Sequence, residues 1–373
     1  MTSNDRIFVN VDLTLFFSSV AVNPQEAPAR MKRIDRDPEK FEVIDLFEAI
    51  ARKRDLKLTD SESQTAFLAQ LFQSFGSSKS NPIIIHGRRI ESMFEHVAAS
   101  LGNCILIKRE DAGEVCSTNA EVLPPDFRLV LDGGTEILVE VKNCHKADPN
   151  YRYRLKRPYL NALKSYARVF DRELLIAVFW SRWKKWALVR PEDFLRTDTG
   201  SSISFIEAIR VDRMAMLGDV MIATTPPLAF RVIADPTKPR LLDASGQVAF
   251  TIGSVELYCN GQRIEDKFEQ QLAFYFMLNS DWVTDEPRAE VVNNELVYFE
   301  YVAKPQELAP DQGFQCLGFL SDMISRHYNE LTASEGKVIR LSPATDPGTL
   351  GVLIPAGYKG KQLPLWRFTV SPK

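Results

Sequence analysis

The chain has 373 residues, of which 45% are apolar and 25% are charged, and its net charge is −3. These proportions are typical of a soluble globular protein and exclude a disordered or fibrous chain. The length suggests two domains, or one large domain with an appendage. No run of 18 apolar residues occurs and the N-terminus lacks a secretory signal pattern, so neither a transmembrane helix nor a signal peptide is predicted.

Cysteine and histidine usage narrows the kinds of metal site to expect. The five cysteines are scattered and never spaced as Cys-x-x-Cys, which argues against a disulfide framework or a zinc knuckle and favours a reducing cytoplasm. The four histidines include no His-x-x-x-His pair, so a histidine-rich metal centre is not expected.

The N-terminal part of the chain predicts strands followed by helices. The strands are expected over residues 7–21, and the helices over 38–54 and 60–75. The cluster Thr59-Asp60-Ser61 suits the N-cap of the second helix. Residues 76–82 form the best linker candidate in the first half of the chain.

The middle of the chain predicts a compact run of alternating elements. Its members, in chain order, are a helix (88–101), three strands (104–109, 126–131, 136–142), a helix (158–170) and two strands (174–180, 185–189). The second helix has Pro158 in its first turn and an inward stripe of Leu160, Leu163, Ala167 and Phe170.

Beyond residue 200 the chain alternates strands and helices and contains no chemical motif. Helices are expected over 264–278 and 314–330, and strands over 219–223, 228–233, 255–259, 290–303 and 336–341. We divide the chain into an N-terminal strand and helical segment (1–80), a core (81–195) and a C-terminal α+β domain for recognition, dimerisation or regulation (196–373).

Charge is distributed unevenly along the chain. From Lys142 to Arg190 there are 13 Lys or Arg and three acids, so this window carries +10 and the remainder −13. Such a basic block is the electrostatic pattern of a polyanion-binding surface, although a solvated basic face is the alternative. The candidate nucleic-acid-binding residues are Lys146, Arg152, Arg154, Lys156, Arg157, Lys164 and Arg168.

The register of the predicted hairpin at 126–142 can be derived from its pattern. Apolar residues alternate on both strands, and these sets must share the buried face because strand side chains have a period of two. A two-residue loop would place Phe127 opposite Glu140. A three-residue loop, Asp132-Gly133-Gly134, instead places Phe127 opposite Val139, and glycine supplies the positive φ that such loops need.

The same register places two acids opposite each other on the other face. Asp126 lies opposite Glu140, and Lys142 stands two residues beyond Glu140 on that face. Opposed carboxylates destabilise a sheet, but a divalent cation between them reverses the sign, and Mg²⁺ is commonly held by one or two carboxylates. The Lys142 ammonium could orient a water or stabilise charge on a phosphate.

Pro125-Asp126 followed by Glu140-Val141-Lys142 resembles the signature of the PD-(D/E)xK nuclease superfamily, which includes restriction endonucleases and Holliday-junction resolvases. The resemblance covers roughly residues 88–190. It implies an α/β fold with a restriction-endonuclease-like αβββαβ core and a mixed sheet. It also implies that Asp126, Glu140 and the Val141 carbonyl bind Mg²⁺ or Mn²⁺ and that Lys142 is catalytic.

The resemblance extends less firmly to the two helices. Many members carry a further acid on the first helix, for which Glu91 is the candidate catalytic residue and Glu95 the alternative. Members often place Gln or Lys on the helix after the motif. Here that region holds Asn161, Lys164 and Ser165, which departs in part from the pattern.

The function implied is a metal-dependent endonuclease that hydrolyses DNA. The alternatives are a non-catalytic nucleic-acid-binding protein on a degenerate nuclease fold and an RNA-directed nuclease. The short motif is weak alone, because the chain also contains Pro310-Asp311 with Glu335-Gly336-Lys337, where a predicted helix keeps the acids apart. Two-fold duplex cleavage uses two active sites, which favours a homodimer, but no interface can be identified from the sequence.

Overall fold

The computed structural model describes residues 30–34, 37–111, 114–118 and 121–372. The strands predicted over 7–21 lie outside these residues. The α/β architecture with a mixed sheet that the sequence predicts is confirmed. The seven α-helices of the described residues are α1 (Val43–Arg54), α2 (Ser61–Lys79), α3 (Pro82–Leu101), α4 (Arg157–Phe170), α5 (Phe205–Arg210), α6 (Lys267–Asn279) and α7 (Leu320–Thr332).

Side-chain caps begin two of the first three helices. A short π-helical turn, Pro38–Glu42, precedes α1. The Asp60 side chain accepts the backbone N–H groups of Glu62 and Ser63, so the predicted N-cap of α2 is confirmed. The predicted linker at 76–82 is wrong, because α2 continues to Lys79 and α3 begins at Pro82, where the side chain of Asn81 caps it.

A five-stranded mixed sheet forms the centre of the middle region. Its strands are β1 (Cys104–Arg109), β2 (Phe127–Leu131), β3 (Glu136–Cys144), β5 (Glu173–Trp180) and β6 (Lys185–Val189), in the spatial order β1-β2-β3-β5-β6. Neighbouring strands are antiparallel except for β3 and β5, which are parallel and are connected through α4. Parallel strands need a crossover connection, and here α4 supplies it.

Helices cover both faces of this sheet. On one face, Phe94 and Val97 of α3 belong to the same buried cluster as Phe127 and Val139. On the other face, Leu160, Leu163 and Ala167 of α4 are buried with Leu138 and Ile176. Phe170 was predicted to point inward with them, but it is 39% exposed and its ring lies 4.7 Å from the Arg128 guanidinium.

A small three-stranded sheet lies beside α4. It contains β4 (Tyr153–Lys156), β7 (Leu195–Thr197) and β8 (Gly200–Ile203), in the order β4-β8-β7. The chain segment that approaches α4 is therefore held in antiparallel pairing with β8. This pairing fixes the backbone immediately before the first turn of α4.

The C-terminal half contains two further sheets of three or more strands. One includes β10 (Leu228–Ala234), β11 (Ile252–Cys259), β12 (Gln262–Ile264), β13 (Val283–Thr284), β14 (Arg288–Val292) and β15 (Glu295–Lys304). The other is formed by β9 (Met221–Thr224), β16 (Gln315–Phe319) and β19 (Trp366–Phe368), and a two-stranded ladder joins β17 (Ala333–Ser334) to β18 (Lys337–Val338).

Three sequence predictions in this half need correction. The helix predicted over 314–330 begins only at Leu320, because Gln315–Phe319 pairs with β9 as a strand. The strand predicted over 290–303 is a hairpin, since Asn293 and Asn294 have positive φ and turn the chain. The strand predicted over 336–341 is reduced to two residues.

The C-terminal half shares its core with the middle region. Trp186 of β6 donates its indole N–H to the Ser325 hydroxyl on α7 at 2.9 Å. Tyr328, also on α7, donates to the Arg89 carbonyl at 3.1 Å. One continuous buried cluster therefore runs from α3 and the central sheet into α6 and α7. Among the described residues, no helix is long and apolar enough to cross a membrane.

Candidate metal centre on the central sheet

The β2–β3 hairpin has the register that the sequence predicts. Phe127 pairs with Val139 and Leu129 with Ile137. The loop contains three residues, closed by the Leu131 N–H donating to the Thr135 carbonyl at 2.8 Å. Gly133 and Gly134 both have positive φ, +91° and +84°, so this turn requires glycine. Asp126 and Glu140 thus flank the Phe127–Val139 pair on the opposite face.

Asp126 lies immediately before β2 and is only 9% exposed. Its Oδ2 accepts the backbone N–H of Val141 at 2.6 Å, which fixes the carboxylate against β3. Burial, together with the neighbouring Glu140 carboxylate, raises the pKa of Asp126 to about 8, although the Lys142 ammonium and the Val141 N–H act in the opposite direction. A cation beside it would favour the ionised form.

Glu140 is 3% exposed and is bound by two side chains. Lys142 and the hydroxyl of Tyr159 both donate to its Oε1. Although burial by itself lowers the pKa of Lys142, Glu140 and Tyr159 raise that pKa above its usual value, so the amine is an ammonium at neutral pH. Burial and the Glu140 carboxylate also raise the pKa of Tyr159.

A second group of carboxylates converges on Asp126 from other elements. One oxygen each from Glu91 on α3, Asp111 after β1 and Asp126 lie within 4.8 Å of one another. Glu91 is therefore in this group, whereas Glu95 pairs with Arg109 at 2.8 Å. Among the described residues, no other grouping of three His, Cys, Asp or Glu side chains lies as close together.

Two arginines form ion pairs with Glu91 and Asp111. The Arg88 Nη1 lies 2.8 Å from Glu91 and 2.7 Å from Asp111, and the Arg109 Nη1 lies 3.8 Å from Glu91. Half of the Arg88 side chain is exposed, so it can leave the group without emptying a buried space. The three carboxylates thus concentrate negative charge, and a half-exposed arginine pairs with two of them.

The donor set fits a hard divalent cation. Glu91, Asp111, Asp126 and Glu140 offer only carboxylate oxygens, which are the protein ligands that Mg²⁺ and Mn²⁺ prefer. Asp126 is the residue that joins the two groups, because both Glu140 and Glu91 act on its pKa. A cation next to Asp126 would relieve the repulsion that now raises this pKa.

Sequence reasoning missed Asp111 and Tyr159. Asp111 approaches Asp126 because β1 pairs antiparallel with β2, with Arg109 opposite Phe127 and the Glu110 N–H donating to the Asp126 carbonyl at 3.0 Å. The two neighbouring acids, Glu110 and Asp111, are visible in the sequence, but the sequence does not predict the β1–β2 register that brings Asp111 to Asp126. For Tyr159, only its position directly after Pro158 in the first turn of α4 could have suggested a site near β3.

The predicted nucleic-acid-binding residues fall into two sets. Three of the seven are engaged by protein groups: Arg152 by Glu207 (2.9 Å), Arg157 by the Thr197 and Asp198 carbonyls (3.0 and 2.7 Å), and Lys164 by Glu192 (2.7 Å). The others are exposed and form no ion pair with any described residue: Lys146, Arg154, Lys156 and Arg168. The Lys146 ammonium lies 5.6 Å from the centre of the Tyr151 ring.

Comparison with known proteins adds little to this geometry. No family model matches the chain, and no curated protein matches it. Among solved structures, the chain is similar to Hjc, a Holliday junction resolvase from the archaeal hyperthermophile Archaeoglobus fulgidus. The two are 23% identical, the match covers 28% of this chain and 79% of that chain, and the TM-score is 0.22.

Proposed function

We propose that this chain is a cytoplasmic, Mg²⁺- or Mn²⁺-dependent nuclease of the PD-(D/E)xK type that hydrolyses phosphodiester bonds of DNA. The observation that carries the proposal is the opposition of Asp126 and Glu140 across the hairpin, with Glu91 and Asp111 beside Asp126. The element order αβββαβ, with its mixed sheet and with β4 inserted before α4, supports a restriction-endonuclease-like core.

The energetics of the hairpin favour a catalytic role over a structural one. Two carboxylates that face each other in a sheet and are nearly buried lose hydration and repel each other. The raised pKa of Asp126 records that cost. A hairpin needs no such pair for stability, and an apolar pair would serve the sheet better. Binding of a cation by the pair during function would account for this cost in desolvation and repulsion.

Each residue of the centre has a distinct proposed role. Asp126 and Glu140, with Glu91 and Asp111, would hold the cation, and the Val141 carbonyl is an additional candidate ligand. A divalent ion supplies Lewis-acid stabilisation of charge on the phosphate and lowers the pKa of a water. Lys142 stays protonated and can orient a water or stabilise negative charge on the phosphate.

Tyr159 acts through Glu140 and is a positioning residue. Its hydroxyl donates to the same Oε1 that Lys142 contacts. The Lys142 ammonium also lies 5.0 Å from the centre of the Tyr159 ring. This double contact limits the rotamers of the Glu140 carboxylate and of the ammonium before substrate arrives.

A nucleic-acid polymer is the substrate class that suits the surroundings. The four exposed basic side chains that form no ion pair with any described residue lie on the segment from β3 to α4, and phosphate contacts from such residues position a backbone. DNA is proposed over RNA because the resemblance covers DNA-directed enzymes. Competition between short single strands, duplex and RNA would decide this point.

The decisive experiment is a cleavage assay with supercoiled, linear and single-stranded DNA and with RNA, in Mg²⁺, Mn²⁺ or EDTA. The variants are Asp126→Ala and Lys142→Ala. The chain offers matched controls in its second Pro-Asp/Glu-x-Lys sequence, because Asp311 and Lys337 are both exposed. We expect metal-dependent cutting that both site variants lose and that Asp311→Ala and Lys337→Ala retain.

Binding of divalent ions gives a readout that does not depend on turnover. Thermal unfolding with and without Ca²⁺ or Mg²⁺ should show stabilisation of the wild type and not of Asp126→Ala. Nucleic-acid binding that persists in Lys142→Ala, with no cutting and no metal-induced stabilisation of the wild type, would replace the nuclease by the non-catalytic binding protein.

A further inference from the structure

Helix α2 carries an apolar stripe that faces solvent. Leu68, Phe72 and Phe75 stand at helical spacing i, i+4 and i+7 and are 62%, 83% and 66% exposed. From Phe72 to Ser80 every residue is exposed, so no described residue covers this half of the helix. Contiguous exposed apolar surface of this kind marks an interaction site.

The contacts that hold α2 against the rest of the chain are few. A different stripe of the helix, with Phe67 buried and Leu71 half-buried, packs against Phe47 and Ala51 of α1. A cluster with three buried residues contributes little to the stability of a helical pair, since helical stability comes mainly from packing of an apolar face. A second packing partner on the exposed stripe would bury the apolar surface that this small cluster leaves exposed.

The chemistry of the stripe fits a second copy of the same helix. Residues 63–78 contain no charged side chain. Around a two-fold axis each residue of an isologous contact meets its own copy or a near neighbour, so an uncharged face avoids the like-charge repulsion that a charged face would create. Gly76 lies next to the stripe, and a Cβ added there would meet nothing within 4 Å, which leaves room for a second backbone.

The exposed side chains supply part of the area that such a contact needs. The three side chains together expose roughly 400 Å², about half of the roughly 800 Å² that each partner contributes to a standard interface. Ile83, in the first turn of α3, is 82% exposed and follows α2 directly in the chain. We infer that the protein forms a homodimer through the Leu68/Phe72/Phe75 stripe of α2, packed against the same stripe of a second copy.

The test is the solution mass of the full chain, measured by light scattering across a dilution series. The wild type should have twice the 42.3 kDa mass of the single chain. Phe72→Glu places two carboxylates at the centre of the contact and should give the single-chain mass. Gln73→Glu adds the same charge to an exposed position about 100° further round the helix and should leave the dimer intact.

A second variant guards against misfolding of Phe72→Glu. Phe75→Ala keeps the helix and should weaken dimerisation by at least about thirtyfold, with unchanged far-UV circular dichroism. A monomeric wild type, or a Phe72→Glu dimer as stable as that of Gln73→Glu, would overturn the inference. Cleavage is not a readout here, so the outcome is independent of the proposed function.

Discussion

Two buried glutamates of this protein are held in opposite ways. Glu269 of α6 is 1% exposed and accepts the backbone N–H groups of Lys361, Gln362 and Leu363 at 2.6 to 2.8 Å and the Tyr358 hydroxyl at 3.0 Å. Glu140 of β3 is 3% exposed and accepts from the side chains of Lys142 and Tyr159. One carboxylate is held mainly by backbone donors, and the other entirely by side chains.

The difference separates a carboxylate held by fixed backbone donors from one to which the proposed function assigns cation binding. Backbone N–H groups are fixed dipoles that cannot leave, so Glu269 clamps the 358–363 segment to α6 and has its lone pairs occupied. The donors to Glu140 are the side chains of Lys142 and Tyr159, and Glu140 stands opposite the Asp126 carboxylate. Under the proposed function a cation would bind Glu140, whereas the oxygens of Glu269 already accept four hydrogen bonds.

The largest expected effect is the loss of the Glu269 clamp. Glu269→Ala leaves three backbone N–H groups without their acceptor, each at a cost of about 1 to 3 kcal/mol. We expect the free energy of unfolding to fall by about 4 to 6 kcal/mol, measured by urea unfolding. The control is Glu265→Ala, an exposed glutamate just before α6, with a change within about 0.5 kcal/mol. A loss below about 1 kcal/mol for Glu269→Ala would refute the clamp.

Glu140→Gln should separate stability from activity. The amide is isosteric and its oxygen can still accept from Lys142 and Tyr159, while the repulsion with Asp126 disappears. We expect stability within about 1 kcal/mol of the wild type and cleavage reduced by about 100- to 1000-fold, which corresponds to about 3 to 4 kcal/mol. Stabilisation by Mg²⁺ in a thermal unfolding assay should also disappear. Unaltered cleavage together with unaltered Mg²⁺ stabilisation would contradict the assignment of Glu140.

Asp212 is a half-buried carboxylate that lies between these two cases. Its Oδ1 accepts the N–H groups of Leu188 and Met214 at 2.7 and 3.0 Å. Burial nevertheless raises the pKa of Asp212 to about 7, against those two N–H groups. Backbone donors therefore do not offset desolvation at Asp212.

The raised pKa of Asp212 predicts the pH dependence of stability. Between about pH 4 and about pH 7 the folded carboxyl holds a proton that the unfolded one releases, so stability falls as the pH rises through this window. Asp212→Asn removes this titration and should gain on the order of 2 kcal/mol over the wild type on going from the acid to the alkaline side. Urea unfolding on both sides of the window measures it.

The same experiment has an internal control in the neighbouring acids. Burial raises the pKa of Asp219 to about 6, with the same sign, but this group is present in both proteins and cancels in their difference. Asp311→Asn, at an exposed position, should follow the wild type on both sides. Parallel pH profiles for Asp212→Asn and the wild type would contradict a raised pKa at Asp212.

The parts of the fold that sequence predicts are those with a local cause. Alternation and a glycine turn determine the β2–β3 register, and Asp60 and Pro158 mark helix starts. The helix predicted over 314–330 fails in its first residues because Gln315–Phe319 is a strand only through pairing with β9, nearly 100 residues earlier. Non-local pairing has no signature in a short window of sequence.

The same reasoning explains what was found and missed in the candidate metal centre. Asp126, Glu140 and Lys142 lie on one hairpin, so a local register brings them together on one face. Asp111 and Tyr159 arrive from β1 and α4, whose placement depends on pairing and packing across the sheet. Of the four carboxylates, local pattern therefore predicts Asp126 and Glu140, the resemblance adds Glu91, and only the tertiary structure adds Asp111.

The smallest expected effect is at Tyr159, whose hydroxyl donates a hydrogen bond to Glu140. Tyr159→Phe removes that donor and keeps the ring beside the Lys142 ammonium. We expect stability to change by less than about 1 kcal/mol and cleavage to fall about three- to tenfold, because Lys142 still holds Glu140. The Mg²⁺ concentration for half-maximal cleavage should rise, since a less fixed carboxylate binds the ion less well. Tyr151→Phe, at an exposed ring, is the control, and a loss beyond about a hundredfold for Tyr159→Phe would instead make this hydroxyl a direct participant in the reaction.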